Sequence, residues 1–216
     1  MSKYTKEHFV MAKRVLRYLR GTCEYGLLWK KPDSPDLHFT AYADADLGSE
    51  KDDRRSITDF VLQINGCTYA YKSHKPRIAH DDTCSTEFIA AAECSVMIVW
   101  THNLCQELKL RRRHPTVVYQ DNQSTIKVIK ATKGNYKIKG VDLKYHKMRD
   151  LYERGDFDIY YCPTTDMLAD IFTKPLGTMQ FCKLRKLLNV VRILCWMAAT
   201  TKQWFAKRTS KWECRS

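Results

Sequence analysis

The sequence predicts an α/β domain with a mixed sheet, in which three antiparallel strands precede parallel strands and helices cover the faces. Three strand-like runs follow one another, and two of them flank Asn65-Gly66, the strongest short hairpin signal. Apolar runs at 116–120 and 156–162 then alternate with stretches of helical periodicity. Strands first and alternating elements later are typical of a sheet of mixed sense.

Individual elements are predicted from periodicity and from the residues that begin or end them. Residues 5–20 place their apolar side chains on one helical stripe, with Thr5 as N-cap and Gly21 as stop. The longest predicted helix covers 85–108 and is capped by Ser85 or Thr86, which puts Glu87 in its first turn. The predicted strands are 25–29, 37–44, 57–64, 67–73, 116–120 and 156–162. The other predicted helices are 123–131, 142–155, 164–174 and 178–190.

The charge balance of the chain indicates its class of partner. The 216 residues suffice for one ordinary domain with extensions, and 44% of them are hydrophobic, which supports a core. There are 37 Lys or Arg residues against 24 Asp or Glu, which gives a net charge of +13. Such an excess favours a polyanionic partner, although solvated faces account for it as well.

Cysteine spacing and hydropathy indicate an intracellular protein. The nine cysteines include no C-x-x-C pair, so neither a disulfide framework nor a zinc finger is predicted. Buried thiols in a reducing compartment are expected instead. No apolar run approaches the ~18 residues of a membrane span, and the N-terminus lacks the apolar core of a signal peptide. We therefore expect no membrane partner.

Carboxylates lie at the ends of several predicted elements. Asp44 closes a strand, Glu87 opens the long helix and Asp121 follows the strand 116–120. Asp170 lies in the helix after the last strand. Sites in open α/β sheets form at the carboxyl ends of strands, so Asp44 and Asp121 meet if their strands are parallel neighbours. A cluster of oxygen donors suits Mg²⁺, and two such ions about 4 Å apart can clamp a phosphoryl displacement.

Each carboxylate also has a structural interpretation. Asp121 precedes Asn-Gln-Ser and makes a good helix N-cap. Glu87 in a first helical turn is favoured by the helix dipole, and Asp170 suits a surface position. Asp46 shares a strand face with Asp44, but it is predicted to lie beyond the strand, in the turn or in an outer shell. Spacing alone leaves both interpretations open.

Five segments carry a family resemblance, namely AKRVLRYLRGTCEYGLLW (12–29), YADADLGSEKDDRRSITDFV (42–61), VYQDNQSTIKV (118–128), VDLKYHKMRD (141–150) and LADIFTKPL (168–176). In this order they resemble the ribonuclease H region at the end of the Pol polyprotein of Ty1/copia-type retrotransposons. The second segment matches the family's Y-x-D-A-D-W-A-G-…-D-R-R-S-T-T-G-Y-V. The third matches its Y-x-D-N-Q-S-A-I.

The resemblance implies an RNase H-like fold and cleavage of RNA in RNA–DNA hybrids by two Mg²⁺ ions, for which Mn²⁺ substitutes. The four acids of the family, expected as catalytic metal ligands, fall on Asp44, Glu87, Asp121 and Asp170. The residues expected to contact the hybrid through its 2′-hydroxyls and phosphates are Asn122, Gln123, Ser124 and Lys127. An upstream reverse transcriptase domain and a location in a cytoplasmic virus-like particle or the nucleus are also expected.

The resemblance further predicts how the chain is divided. Residues 1–36 are the remnant of a connection to reverse transcriptase, and 37–189 form the RNase H-like domain. The tail 190–216 is basic and aromatic; it either binds nucleic acid by stacking and charge or is non-native sequence.

Two departures from the family pattern keep an alternative function open. Leu47 replaces the usual tryptophan, and DDTCSTEFIAAA replaces S-S-T-E-A-E-Y-I-A-A, with Glu87 on the second glutamate. The alternative is a decayed or domesticated nucleic-acid-binding protein without catalysis. A polymerase palm is disfavoured, because Tyr42-Ala43-Asp44-Ala45 lacks the adjacent aspartates of a Y-x-D-D hairpin.

Overall fold

The computed structural model describes residues 4–32, 35–46, 56–76, 82–110, 112–131 and 142–193. The chain divides into two compact units, Met1–Leu28 with Val190–Ser216 and Trp29–Asn189. Leu47 and the tail beyond residue 193 lie outside the described residues. The functional division into 1–36, 37–189 and 190–216 remains a prediction.

The first unit begins with helix α1 (Lys6–Gly21) and the short strand β1 (Tyr25–Leu27). Thr5 is the N-cap, as predicted: its hydroxyl accepts the His8 backbone N–H, and the His8 side chain accepts the Thr5 N–H in return. This reciprocal pair satisfies two N–H groups that the start of a helix leaves without partners. Strand β1 has three residues and is shorter than the predicted strand 25–29.

The second unit begins with three antiparallel strands, β2 (Phe39–Asp46), β3 (Ile57–Ile64) and β4 (Cys67–His74). The β3–β4 hairpin turns at Asn65 and Gly66, whose φ angles of 48° and 75° are the positive values that a type I′ turn requires. The prediction that this first strand ends at Asp44 is wrong. Strand β2 continues to Asp46 because that residue still pairs with Ile57 of β3.

Helix α2 (Thr83–Glu107) starts earlier than predicted. Asp82 is its N-cap, since its carboxylate accepts the Ser85 backbone N–H at 2.7 Å. Neither Ser85 nor Thr86 caps the helix, and Glu87 therefore lies in the second turn rather than the first. By length and hydropathy α2 resembles a membrane span, but 56% of its most apolar window is buried within the protein, as in core helices generally.

The remaining sheet strands alternate with helices. In chain order these elements are β5 (Thr116–Gln120), α3 (Gln123–Lys130), α4 (Asp142–Glu153) and β6 (Phe157–Tyr161). Strand β5 runs parallel to both β2 and β6 and completes a five-stranded sheet of the described residues, ordered β4-β3-β2-β5-β6. Antiparallel pairing on one side and parallel pairing on the other confirm the predicted mixed sheet of the RNase H-like fold.

The segment after β6 differs from its prediction. Residues 164–174 do not form one helix, but a 3₁₀ turn at Thr164–Asp166 and the short helix α5 (Asp170–Thr173). Helix α6 (Thr178–Leu187) ends before residue 190. Residues Val190–Arg192 form a strand that the sequence did not indicate, β7, which pairs antiparallel with β1 in the first unit.

The two faces of β2 have different surroundings. Ala41, Ala43 and Ala45 are buried in the main core with Phe88 of α2. The intervening residues, Tyr42, Asp44 and Asp46, point to the opposite face, because successive side chains of a strand alternate. Helix α5 covers that face, where the Phe172 ring stacks on Tyr71 of β4 at 5.3 Å.

Candidate metal centre

Three of the predicted acids converge at one edge of the sheet. Strands β2 and β5 are in parallel register, with Tyr42 opposite Tyr119, and Asp44 and Asp121 each follow that pair by two residues. Glu87 reaches the same edge from α2. One carboxylate oxygen from each of the three acids lies within 4.8 Å of the other two. The sequence predicted that Asp44 and Asp121 meet only if their strands are parallel neighbours. The parallel pairing of β2 and β5 fulfils that condition and brings the two acids together.

Glu87 is held by two hydrogen bonds and has a strongly raised pKa. Its Oε2 accepts the Ala45 backbone N–H at 3.1 Å and the Gln120 side-chain amide at 2.6 Å. Burial, and after it the charges of Asp44 and Asp121, raise the pKa of Glu87 to about 9. The carboxyl therefore favours its neutral form unless a cation enters the cluster.

Gln120 was not predicted as a site residue. It is fully buried and occupies the inward face of β5, between the sheet and α2. The only signal in the sequence is a polar side chain at the inward end of the apolar run TVVYQ. Its amide orients Glu87 and satisfies one of the carboxylate's oxygens.

Asp121 is available to the cluster because a neighbour caps helix α3. The Asn122 side chain accepts the Thr125 backbone N–H at 3.1 Å, so the interpretation of Asp121 as the N-cap is wrong. The Asp121 carboxylate instead accepts the Thr164 hydroxyl at 3.2 Å. Burial and the nearby Asp44 raise its pKa above the usual range.

Asp170 adjoins the cluster through Lys174. The Lys174 ammonium donates to Asp170 Oδ1 at 2.6 Å and to Asp44 Oδ1 at 3.3 Å, and it lies 4.0 Å from Asp121 Oδ2. The Thr173 hydroxyl donates to Asp44 Oδ2 at 2.6 Å. Asp170 is buried, so its interpretation as a surface residue is wrong. Burial raises the pKa of Asp170 to about 6, although Lys174 opposes this rise. Burial lowers the pKa of Lys174, but Asp170, Asp44 and Asp121 outweigh that and raise it above its usual value.

Asp59 is a further acid that the sequence did not indicate. It lies opposite Asp44 in the β2–β3 register and is fully buried. Among the residues that the structure describes, neither of its carboxylate oxygens has a hydrogen-bond partner of good geometry. Burial and then Asp44 raise the pKa of Asp59 to about 7, which the Ser73 hydroxyl offsets only in part. The family motif quoted above has glycine at this position.

The donor set fits a divalent cation. Asp44, Glu87 and Asp121 offer only oxygen ligands, the class that Mg²⁺, Mn²⁺ and Ca²⁺ prefer. Burial, and after it mutual repulsion, raises the pKa values of Glu87 and Asp121, and a bound cation would relieve that repulsion.

The residues expected to contact nucleic acid lie beside this edge. Gln123, Ser124 and Lys127 are exposed on α3, which begins two residues after Asp121. Asn122 is half-buried, and its side-chain oxygen is engaged in the helix cap. Asn122 is the least accessible of the four, and their contact with nucleic acid remains a prediction.

The chain is similar in sequence or structure to several known proteins. No family model matches. The Pol polyprotein of transposon RE2 from Arabidopsis thaliana is 30% identical over 189 residues, which are 88% of this chain and 13% of the relative. The Ty1-NL2 Gag-Pol polyprotein of Saccharomyces cerevisiae is 27% identical over 79% of this chain and 10% of its own length. A solved complex of LC11-RNase H1 with an RNA/DNA hybrid aligns with a TM-score of 0.44 and 15% identity, over 62% of this chain and 92% of that one.

These relatives extend far beyond the region that they share with this chain. The matched region makes up 10–13% of their length but 79–88% of the chain. The resemblance predicted from the five motifs is confirmed: the chain is a homologue of one segment of the Pol polyproteins of Ty1/copia-type retrotransposons.

Proposed function

We propose that the chain is an RNase H-type endonuclease that hydrolyses the RNA strand of RNA–DNA hybrids with two Mg²⁺ ions. The convergence of Asp44, Glu87 and Asp121 at the carboxyl edge of two adjacent parallel strands carries this proposal. It is supported by the homology to Pol polyproteins whose names assign them to transposons and, for the Arabidopsis relative, describe the polyprotein as retrovirus-related. The geometry of the acids and the homology thus point the same way.

The acids divide between two roles in this proposal. Asp44, Glu87 and Asp121 would hold one ion, and Asp170 beside Asp44 would help to hold the second; Mn²⁺ would substitute for Mg²⁺. The bound ions would supply an activated water and charge stabilisation at the scissile phosphate. Glu87 must release its proton to act as a ligand, and the Gln120 amide and Ala45 N–H keep its carboxylate oriented.

The substrate would lie along the edge that carries the acids. The exposed side chains of Gln123 and Ser124 would contact the minor groove, where 2′-hydroxyls distinguish RNA from DNA. Lys127, one helical turn further, would contact a phosphate, and the net charge of +13 would favour encounter with the polyanion.

The proposal extends to a wider setting. An upstream reverse transcriptase domain would produce the hybrid, and the chain would act in a cytoplasmic virus-like particle or in the nucleus. We expect no membrane partner.

Cleavage of a labelled hybrid by the purified 216-residue chain tests the proposal. We expect Mg²⁺-dependent cleavage of the RNA strand, no cleavage of double-stranded DNA, and loss of cleavage in Asp121→Asn. Asp150→Asn, which changes an exposed aspartate on α4, should retain full activity. Absence of cleavage by the wild type, or equal cleavage by Asp121→Asn, would overturn the proposal.

The same samples separate the alternatives. Hybrid binding without cleavage would identify the decayed or domesticated nucleic-acid-binding protein. Extension of an annealed primer would instead identify a polymerase, which the proposal excludes.

A further inference from the structure

The positively charged side chain of Lys174 lies among the carboxylates. Its ammonium nitrogen lies 2.6 Å from Asp170, 3.3 Å from Asp44 and 4.0 Å from Asp121. These three acids are proposed metal ligands, and the first two flank the position assigned above to the second ion. A divalent cation bound to the same oxygens would lie within a few ångströms of the ammonium and would be repelled by it.

Lys174 lies between the buried acids and solvent. The side chains of Asp44 and Asp170 are 0% and 2% exposed, whereas that of Lys174 is 29% exposed. A flexible stem of four carbons carries the ammonium, so the group can turn outward without any change in the backbone. The acids lack such freedom, since each is buried on a strand or at the start of a helix.

The backbone that carries Lys174 is held in place. The lysine is the C-cap of α5 and directly follows Thr173, whose hydroxyl donates to Asp44 at 2.6 Å. In the same helix, Phe172 stacks on Tyr71 of β4. The side chain can therefore leave the acids and return to the same position.

We propose that Lys174 is a displaceable counter-ion, which neutralises the Asp44–Asp170 pair in the metal-free protein and must withdraw before a second divalent ion binds there. The inference rests on the proposed function only in that the acids bind divalent cations. Lys174 is a positioning residue in this scheme: it fixes the order of metal binding and weakens the second step. The position formed by Asp44, Glu87 and Asp121 fills first.

Titration of the full chain with Mn²⁺, with free Mn²⁺ measured by electron paramagnetic resonance, tests the proposal without any readout of activity. In Lys174→Gln the weaker binding step should tighten about tenfold or more, because the competing charge is gone. Lys174→Arg keeps a cation and should bind Mn²⁺ no more tightly than the wild type. Lys72→Gln removes a lysine paired with Glu93 at 3.0 Å, a pair that shares no residue with the acid cluster, and should leave the isotherm unchanged.

Thermal unfolding provides a second readout. In EDTA, Lys174→Gln should melt below the wild type, because its carboxylates have lost their counter-ion. Saturating Mn²⁺ should close most of that gap, since the metal replaces the lysine. If Lys174→Gln is unfolded in EDTA, circular dichroism should show that Mn²⁺ restores its fold. An unchanged isotherm, or a gap that Mn²⁺ does not close, would overturn the proposal.

The outcomes for Lys174 and for the nuclease are distinguishable. A tightened isotherm in Lys174→Gln, together with a wild type that cleaves no hybrid, would uphold the counter-ion and overturn the nuclease. Hybrid cleavage by the wild type, together with an isotherm in Lys174→Gln identical to that of the wild type, would uphold the nuclease and overturn the counter-ion. If the wild type binds no Mn²⁺, both are wrong.

Discussion

Asp44 and Asp59 face each other in direct register across strands β2 and β3, and both side chains are fully buried. Like charges directly opposite each other in an antiparallel pair are destabilising. Asp44 is compensated by Thr173 and Lys174, whereas the Asp59 oxygens find no hydrogen-bond partner of good geometry within the described part of the chain. This asymmetry makes Asp59 the acid whose removal should stabilise the fold.

Asp59→Asn should raise the free energy of unfolding at pH 8 in the absence of divalent metal. The pKa of Asp59 is raised from 3.8 to about 7 in the folded protein, so between these values the folded state keeps a proton that the unfolded chain releases. Stability from this group is therefore present below pH ~4 and is lost as the pH rises to about 7. The variant should gain on the order of 2–4 kcal/mol at pH 8 and little at pH 4.

Urea denaturation of wild type and variant at the two pH values measures this difference. Asp150→Asn, at an exposed helical position, is the matched control and should change stability by less than about 0.5 kcal/mol at both. A variant at position 59 that is no more stable than the wild type at pH 8 would contradict the prediction.

Asp44→Asn and Asp46→Asn should differ widely in activity, although both residues lie on one face of β2. Asp44 contacts Lys174 and lies within the three-acid cluster, whereas Asp46 is half-buried at the strand's end and outside that cluster. We expect a loss of about 100-fold or more for Asp44→Asn and of about threefold or less for Asp46→Asn. Initial rates of hybrid cleavage at saturating Mg²⁺ test this, and equal losses would show that Asp46 is also a ligand.

Divalent metal affinity should rise with pH over the neutral range. The pKa of Glu87 is raised to about 9 by burial and by Asp44 and Asp121, so the metal-free carboxyl is mostly protonated at pH 7. A metal ion binds only the ionised form and expels the proton, which predicts a roughly tenfold gain in affinity per pH unit below that pKa. Mn²⁺ titrations at pH 7 and pH 8 measure the slope, and equal affinities at both would mean that Glu87 is not a ligand.

Lys127→Ala should weaken hybrid binding equally for all sequences. An exposed lysine on α3 that neutralises one phosphate adds affinity without base readout. Its loss should make the negative slope of log affinity against log salt shallower by about 0.9. Fluorescence anisotropy at several salt concentrations, in an Asp121→Asn background that prevents cleavage, gives the slope. Lys72→Ala serves as the control, and an identical slope in both variants would remove Lys127 from the binding surface.

Sequence patterns predicted the parts of the fold that local interactions decide. The β3–β4 hairpin follows from Asn65 and Gly66, which tolerate the positive φ angles of a tight turn. The start of α1 follows from Thr5, whose cap involves only a residue three positions away. Alternation and helical periodicity indicated the sheet strands, and motif resemblance pointed to the acids that later proved adjacent.

Only the tertiary structure decided the features that depend on residues far apart in the chain. Strand β2 extends to Asp46 because β3 pairs with it there, and β7 exists because β1 lies beside it. The contacts of Asp44 with Asp59 and Lys174 join residues that are distant in sequence. Their chemistry arises from burial and from Coulomb interactions between side chains that folding alone brings together, and no local pattern encodes it. The sequence by itself thus determined which acids the chain carries, and the structure decided how those acids are compensated.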